Sequence, residues 1–399
     1  MVLMNSIALC SFKNGEDVPR GSQSPANENT PLSIPLYVTS IAPGSIKVGI
    51  KLALGNTRIG KIYEFDTGSE GFFAAYQPDM RWWPEESITN LTGSQKKAMK
   101  YGSGTQFNFQ LVKTAITFEG GTSLTANMGK ILSSQKDKQP FQFTAEDWAN
   151  KITTNQAPLY NRFYGIFGAA LYLGNGSIWD GPDPLGTPLA QFKGIRGDGF
   201  IVRLNSSFNS PVNTQFTPTN ELVANGELKI GLTDELRARF PIKLPMIKYS
   251  NPGSDIKTLP SGNHMYAEHS VLGKIKVSDA YGNTTSVPVY ILFDTGATSI
   301  QLKTNYANPD DSPFMQFITK GKLIEGTTVT ITVDGIDASS GWKWRFEAGR
   351  NIPTNMVKTT NDDTGKKMFL VVNQAAFFNN DFMFDIKNGV IGLAPKRIL

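Results

Sequence analysis

The chain of 399 residues carries one cysteine, Cys10, so no intrachain disulfide can form. That lack favours a reducing compartment or a bacterial source, cytoplasm or periplasm, over a eukaryotic secretory pathway. Histidine is nearly as scarce. His264 and His269 are the only two, neither adjoins a nucleophile motif, and both read as surface residues. No Cys/His cluster has metal-ligand spacing, so neither a metal nor any other cofactor is indicated. Serine and cysteine hydrolase triads likewise have nothing to build on. No stretch reaches the roughly 18 consecutive apolar residues of a membrane-spanning helix. Charged residues make up only 18% of the chain, and the net charge of +5 comes from scattered lysines and arginines. A nucleic-acid partner needs them clustered. Met1 to Phe12 lacks a basic start and a continuous apolar core, which makes it a poor signal peptide.

What the chain has in quantity is Gly, Phe, Thr and Asn, in short apolar runs broken by turns. This pattern predicts an all-β fold with few short helices. The length suffices for two cores. Residues 1–31 are polar and read as a flexible leader. Pro, Gly, Ser and Asn concentrate between Met246 and Pro260. Two lobes are therefore expected, 32–245 and 246–399, in a chain that acts as a monomer.

One short stretch occurs twice. Ile62-Tyr-Glu-Phe-Asp66-Thr67-Gly68-Ser69 returns, 228 positions later, as Tyr290-Ile-Leu-Phe-Asp294-Thr295-Gly296-Ala297. A chain this long should contain about 0.1 Asp-Thr-Gly by chance. Each copy runs from a β-prone segment into a turn, and glycine there permits a tight bend and close backbone approach. If two such turns meet, carboxyls about 3 Å apart cannot both ionise and must share a proton. An acid and a base on one water can hydrolyse an amide without a metal.

Further along, Tyr101-Gly102-Ser103-Gly104-Thr105 is flanked by the alternating Phe107, Phe109, Leu111 and Ile116, as in a hairpin. Phe163-Tyr-Gly-Ile-Phe-Gly-Ala-Ala170 combines small and apolar residues, and the end of the chain reads Phe377-Phe-Asn-Asn-Asp-Phe-Met-Phe-Asp-Ile-Lys-Asn-Gly-Val-Ile-Gly-Leu-Ala-Pro395. With the paired turns, these stretches resemble the pepsin-like aspartic proteases from about Ser45 to Pro395. The likeness is specific at the motifs and loose between them. It implies a bilobal fold with a cleft between two β lobes, Asp66 and Asp294 as the catalytic pair, and Asp294 as the base. Thr67, Gly68, Ser69, Thr295, Gly296 and Ala297 would support them. Tyr101, Gly102 and Ser103 would form a flap over an extended polypeptide substrate.

Three departures stand out. Phe72 and Phe73 occupy the place of the tryptophan that supports the flap tyrosine, with Trp82 or Trp83 as substitutes. Ala297 replaces a Ser or Thr that could hydrogen-bond to Asp294, which predicts a pH optimum above that of gastric pepsin. Asn373 stands where the second buttressing strand should carry glycine, and asparagine tolerates left-handed backbone. The rival expectation is a pepsin-fold binding or inhibitor protein that no longer hydrolyses.

Overall fold

The computed structural model describes residues 28–42, 45–78, 80–91, 97–101, 104–136, 145–154, 156–172, 185–205, 223–249, 258–259, 261–304, 312–337, 340–349, 356–361 and 368–396. Among these, three short α-helices accompany two extended, curled β-sheets. No helix is long and apolar enough to cross a membrane.

The first sheet of 14 strands begins its path to the site with a hairpin, Ser45–Leu54 paired antiparallel to Lys61–Asp66. The first of these strands alternates in sequence, yet it is buried along nearly its whole length, because other elements cover both of its faces. The second strand ends on Asp66 itself. A parallel strand, Gly165–Gly168, lies beside it and pairs Phe65 with Phe167 and Asp66 with Gly168. Phe72–Ala75 folds back antiparallel onto that same strand. Gly168 has to be glycine, since a Cβ there would lie 2.3 Å from the Ser69 carbonyl and 2.4 Å from that of Gly71.

The second sheet, of nine strands, repeats the plan. Val271–Ser278 and Thr284–Phe293 form a hairpin, and Phe369–Val372 lies parallel to the latter. Asp294 follows directly, its amide donating to the Val372 carbonyl at 2.8 Å. Asn373 does not adopt the left-handed backbone that asparagine would tolerate. Its φ is −84°, and its side chain caps the helix Gln374–Asn379 by accepting from the Ala375 amide at 3.3 Å. A helix start replaces the glycine strand, so no close backbone approach is needed there.

The C-terminal hairpin, Asn380–Asp385 with Val390–Pro395, pairs with Gly199–Leu204 and Ile242–Pro245. It therefore belongs to the first sheet rather than the second. We propose the division near residue 246 as the lobe boundary, with this hairpin as a seam shared by both halves. Aromatic rings anchor the strand ends on both sides. Phe65 stacks on Phe167 at 6.1 Å between centroids, and Phe293 meets Trp342 at 5.4 Å and Phe382 at 4.9 Å. Burying each phenylalanine fully is worth about 1.5–3 kcal/mol, so the residue before each aspartate is held firmly.

Candidate active site

The two turns meet in a near-symmetrical lattice. The Thr67 amide donates to the Thr295 hydroxyl at 3.1 Å, and the Thr295 amide donates to the Thr67 hydroxyl at 3.0 Å. Each hydroxyl then donates across to the opposite strand end, Thr67 to the Phe293 carbonyl and Thr295 to the Phe65 carbonyl, both at 2.8 Å. Both threonines are buried, at 3% and 0% exposure, so each donor and acceptor depends on its counterpart rather than on water.

This lattice sets the carboxyls face to face. A Cβ on Gly68 would lie 2.4 Å from Cγ of Asp294, and a Cβ on Gly296 would lie 2.3 Å from Cγ of Asp66. Each turn also binds its own aspartate. Gly68 and Ser69 donate to separate oxygens of Asp66, at 2.8 and 2.6 Å. Gly296 and Ala297 donate through their amides to one oxygen of Asp294, at 2.6 and 3.1 Å. Ala297 thus contributes a backbone donor in place of the missing hydroxyl. Both Asp66 oxygens receive hydrogen bonds from its own turn, which suits a carboxylate. Asp294 keeps one oxygen free of such donors, and its side chain is hydrogen-bonded to Asp66.

The electrostatics agree. Burial pushes the Asp294 carboxyl well above the usual carboxylate range, and the facing Asp66 charge pushes it further. Lys47 and the Gly296 amide act in the opposite direction. Burial and the facing carboxylate thus favour retention of a proton on the Asp294 side of a pair that titrates as a unit.

The flap motif is only partly visible. Lys97–Lys100 pairs antiparallel with Thr105–Phe118, and Tyr101 closes the turn by donating its amide to the Thr105 carbonyl at 2.8 Å. Gly102 and Ser103 lie outside the described residues. Phe73 packs edge-on against Tyr101 at 6.4 Å, taking the supporting position. Neither tryptophan does so. Trp82 packs on Tyr164, and Trp83 on Tyr76. Among the described residues, the enclosed Tyr101 hydroxyl has no hydrogen-bond partner, because phenylalanine has nothing to donate.

Several charged and polar groups near the dyad carry no motif. Lys47 and Glu64 form a buried ion pair beside it. Glu70 is buried directly after Ser69, and burial pushes its carboxyl up to about 7 against a backbone hydrogen bond at its own position. Tyr172 donates to the Gly68 carbonyl at 2.9 Å. Gln374 donates to the Thr295 carbonyl at 2.7 Å and the Ile46 carbonyl at 3.0 Å. One signal was available in the sequence, a glutamate flanked by Tyr63 and Phe65 in the strand that ends on Asp66. His269 is a further surprise. It is buried rather than on the surface, packed 4.5 Å from Phe369 between ring centroids, while His264 is exposed.

The fold is that of the pepsin-like aspartic proteinases, bilobal and mostly β. The chain is similar in structure to the aspartic proteinase from Irpex lacteus, with a TM-score of 0.52 over 92% of this chain and 98% of that one, at 13% identity. No family model matches the sequence, and no curated protein matches it either.

Proposed function

We propose that the protein is an aspartic endopeptidase, a member of the pepsin-like family that acts as a monomer on extended polypeptides. The observation that carries this reading is the reciprocal facing of two turns, Gly68 against Asp294 and Gly296 against Asp66, locked by the paired threonines. Little but two carboxyls sharing a proton needs glycine on both sides and hydroxyls crossed beneath.

In this reading Asp66 is the base and Asp294 holds the proton. Asp66 takes a proton from a water as its oxygen bonds to the scissile carbonyl carbon. Asp294 gives its proton to the carbonyl oxygen, which becomes the second hydroxyl of a tetrahedral diol. Collapse of the diol breaks the C–N bond. A hydroxyl proton returns to Asp294, and the proton held by Asp66 passes to the departing amine, restoring both groups. The strand and hairpin edges beside the cleft would hold the peptide by backbone hydrogen bonds. Buried, neutral His269 makes strongly acidic conditions unfavourable to the fold, which agrees with an optimum above that of gastric pepsin.

The test is cleavage of an unstructured protein from pH 3 to 7, with and without a statine-containing peptide, beside Asp66→Asn and Asp294→Asn. Loss of cleavage in both variants and inhibition by the statine are expected. Activity surviving in either variant removes the dyad from the chemistry. A second reading, a pepsin-fold binding protein, is favoured by one observation: among the described residues the Tyr101 hydroxyl has no hydrogen-bond partner. A folded wild type inactive at every pH would establish it over the first.

A further inference from the structure

Lys47 and Glu64 lie on adjacent strands of the first half, at 6% and 2% exposure. The Lys47 ammonium donates to a Glu64 carboxylate oxygen and to the Gly296 carbonyl, which belongs to the opposite turn. The Tyr160 ring covers the ammonium at 5.5 Å from its centroid. Tyr160 has a positive φ of 54°, a conformation that a bulky residue adopts mainly where the surroundings enforce it. The preceding residue makes a second stitch, since Ile46 and Thr295 are bridged through Gln374. Residues 46 and 47 are therefore tied to residues 295 and 296.

Stability alone does not account for this arrangement. Well-packed apolar side chains hold buried strands at least as well as an ion pair, because each charge loses its hydration. A cation beside the dyad, however, favours its ionised form, and a donor on the Gly296 carbonyl fixes the backbone that faces Asp66.

We propose that Lys47 is a positioning residue for the Asp66–Asp294 pair, clamping the second turn through the Gly296 carbonyl and supplying positive charge to the shared-proton anion. The proposal rests on the reading of this pair as catalytic. Lys47 stays charged here: burial opposes the ammonium, but Glu64, Tyr160 and Asp66 raise its pKa above the ordinary lysine value. It also counters protonation of Asp294. Among the described residues, the other titratable groups facing the pair are Glu70, Tyr101 and Tyr172, with Glu268 acting through Glu70 and Tyr172. None of them changes in the variants below.

Lys47→Met, Lys47→Arg and the doubly neutral Lys47→Met/Glu64→Gln are compared with wild type in the pH profile of kcat/KM. The carboxyl 13C shifts of Asp66 and Asp294 are followed over the same range. In Lys47→Met the acid limb and the lower carboxyl midpoint should both rise by about one pH unit. Its kcat should fall at least about tenfold with KM within about twofold, the pattern of lost positioning. Lys47→Arg should retain the wild-type midpoint. The double variant, which leaves no unpaired buried charge should Lys47→Met fail to fold, should show a smaller rise. A folded variant lacking Lys47 whose acid limb and carboxyl midpoints match wild type overturns the proposal. The carboxyl titration also separates the two readings. A wild type that cleaves nothing sinks the endopeptidase, while the midpoints still decide whether Lys47 governs the pair.

Discussion

Gly68 lies so close to Asp294 that a single added methyl would overlap its carboxyl, at 2.4 Å from Cγ. The same holds for Gly296 and Asp66, at 2.3 Å. Real Cβ atoms essentially never approach this closely, so Gly68→Ala or Gly296→Ala must push the carboxyls apart. Displacement of a reacting group by about 1 Å costs about 100-fold in rate. Each variant should therefore lose at least that much kcat while remaining folded, measured by steady-state cleavage beside circular dichroism. A glycine-to-alanine variant with wild-type kcat would falsify the facing geometry.

The crossed threonines should be coupled. Thr67→Val removes an acceptor from the Thr295 amide and a donor from the Phe293 carbonyl, and Thr295→Val does the converse. Leaving buried backbone groups unpaired should cost about 2–4 kcal/mol in either variant. Because both break the same lattice, the double variant should cost less than the sum of the two. Urea unfolding of all four proteins measures the coupling, and simple additivity would mean the grip does not act as a unit.

Glu70 should make the protein less stable as pH rises through the mildly acidic range. Its carboxyl is raised from 4.5 to about 7, first by burial, with Glu268 and Asp66 adding. Between those values the native state binds a proton that the unfolded chain releases, so stability falls as pH rises. Glu70→Gln should flatten this decline and gain up to about 3 kcal/mol at pH 7, with little change at pH 4. Unfolding free energies at both pH values check it.

His269 works in the opposite sense. Burial, with Lys303 adding, lowers it from 6.5 to about 3. Over that window the unfolded chain binds a proton that the native state refuses, so stability is full above 6.5 and is lost as pH falls towards 3. His269→Phe, which keeps the contact with Phe369, should recover about 3 kcal/mol at pH 4 and leave pH 7 stability largely unchanged. A melting temperature that falls with acid as steeply in the variant as in wild type would contradict this.

The residues that were legible in advance share one property: their role is set within a few positions of chain. Asp66 and Asp294 each end a strand and open a turn with their own glycine, and the hairpins before them alternate audibly in hydrophobicity. Asn373 departs from expectation because it caps the start of a helix instead of continuing a strand. Lys47 sits among Ile46, Val48 and Ile50, where alternation assigns it to a solvent-facing side. Tyr160 and the turn at Gly296 cover that side. The resemblance implies Trp82 or Trp83 as the flap support, whereas the register of Phe72–Ala75 beside Gly165–Gly168 sets Phe73 against Tyr101.

By itself the sequence determined the two turns, the β character and the glycines the turns require, because backbone sterics and short-range hydrogen bonding act between near neighbours. Only the tertiary structure decided which charges are buried beside them. Desolvation and Coulomb energies depend on distance through space, and Lys47 reaches Gly296 only when the two halves close on each other. The pair of aspartates is thus written locally, but the charges buried beside them are placed by the fold.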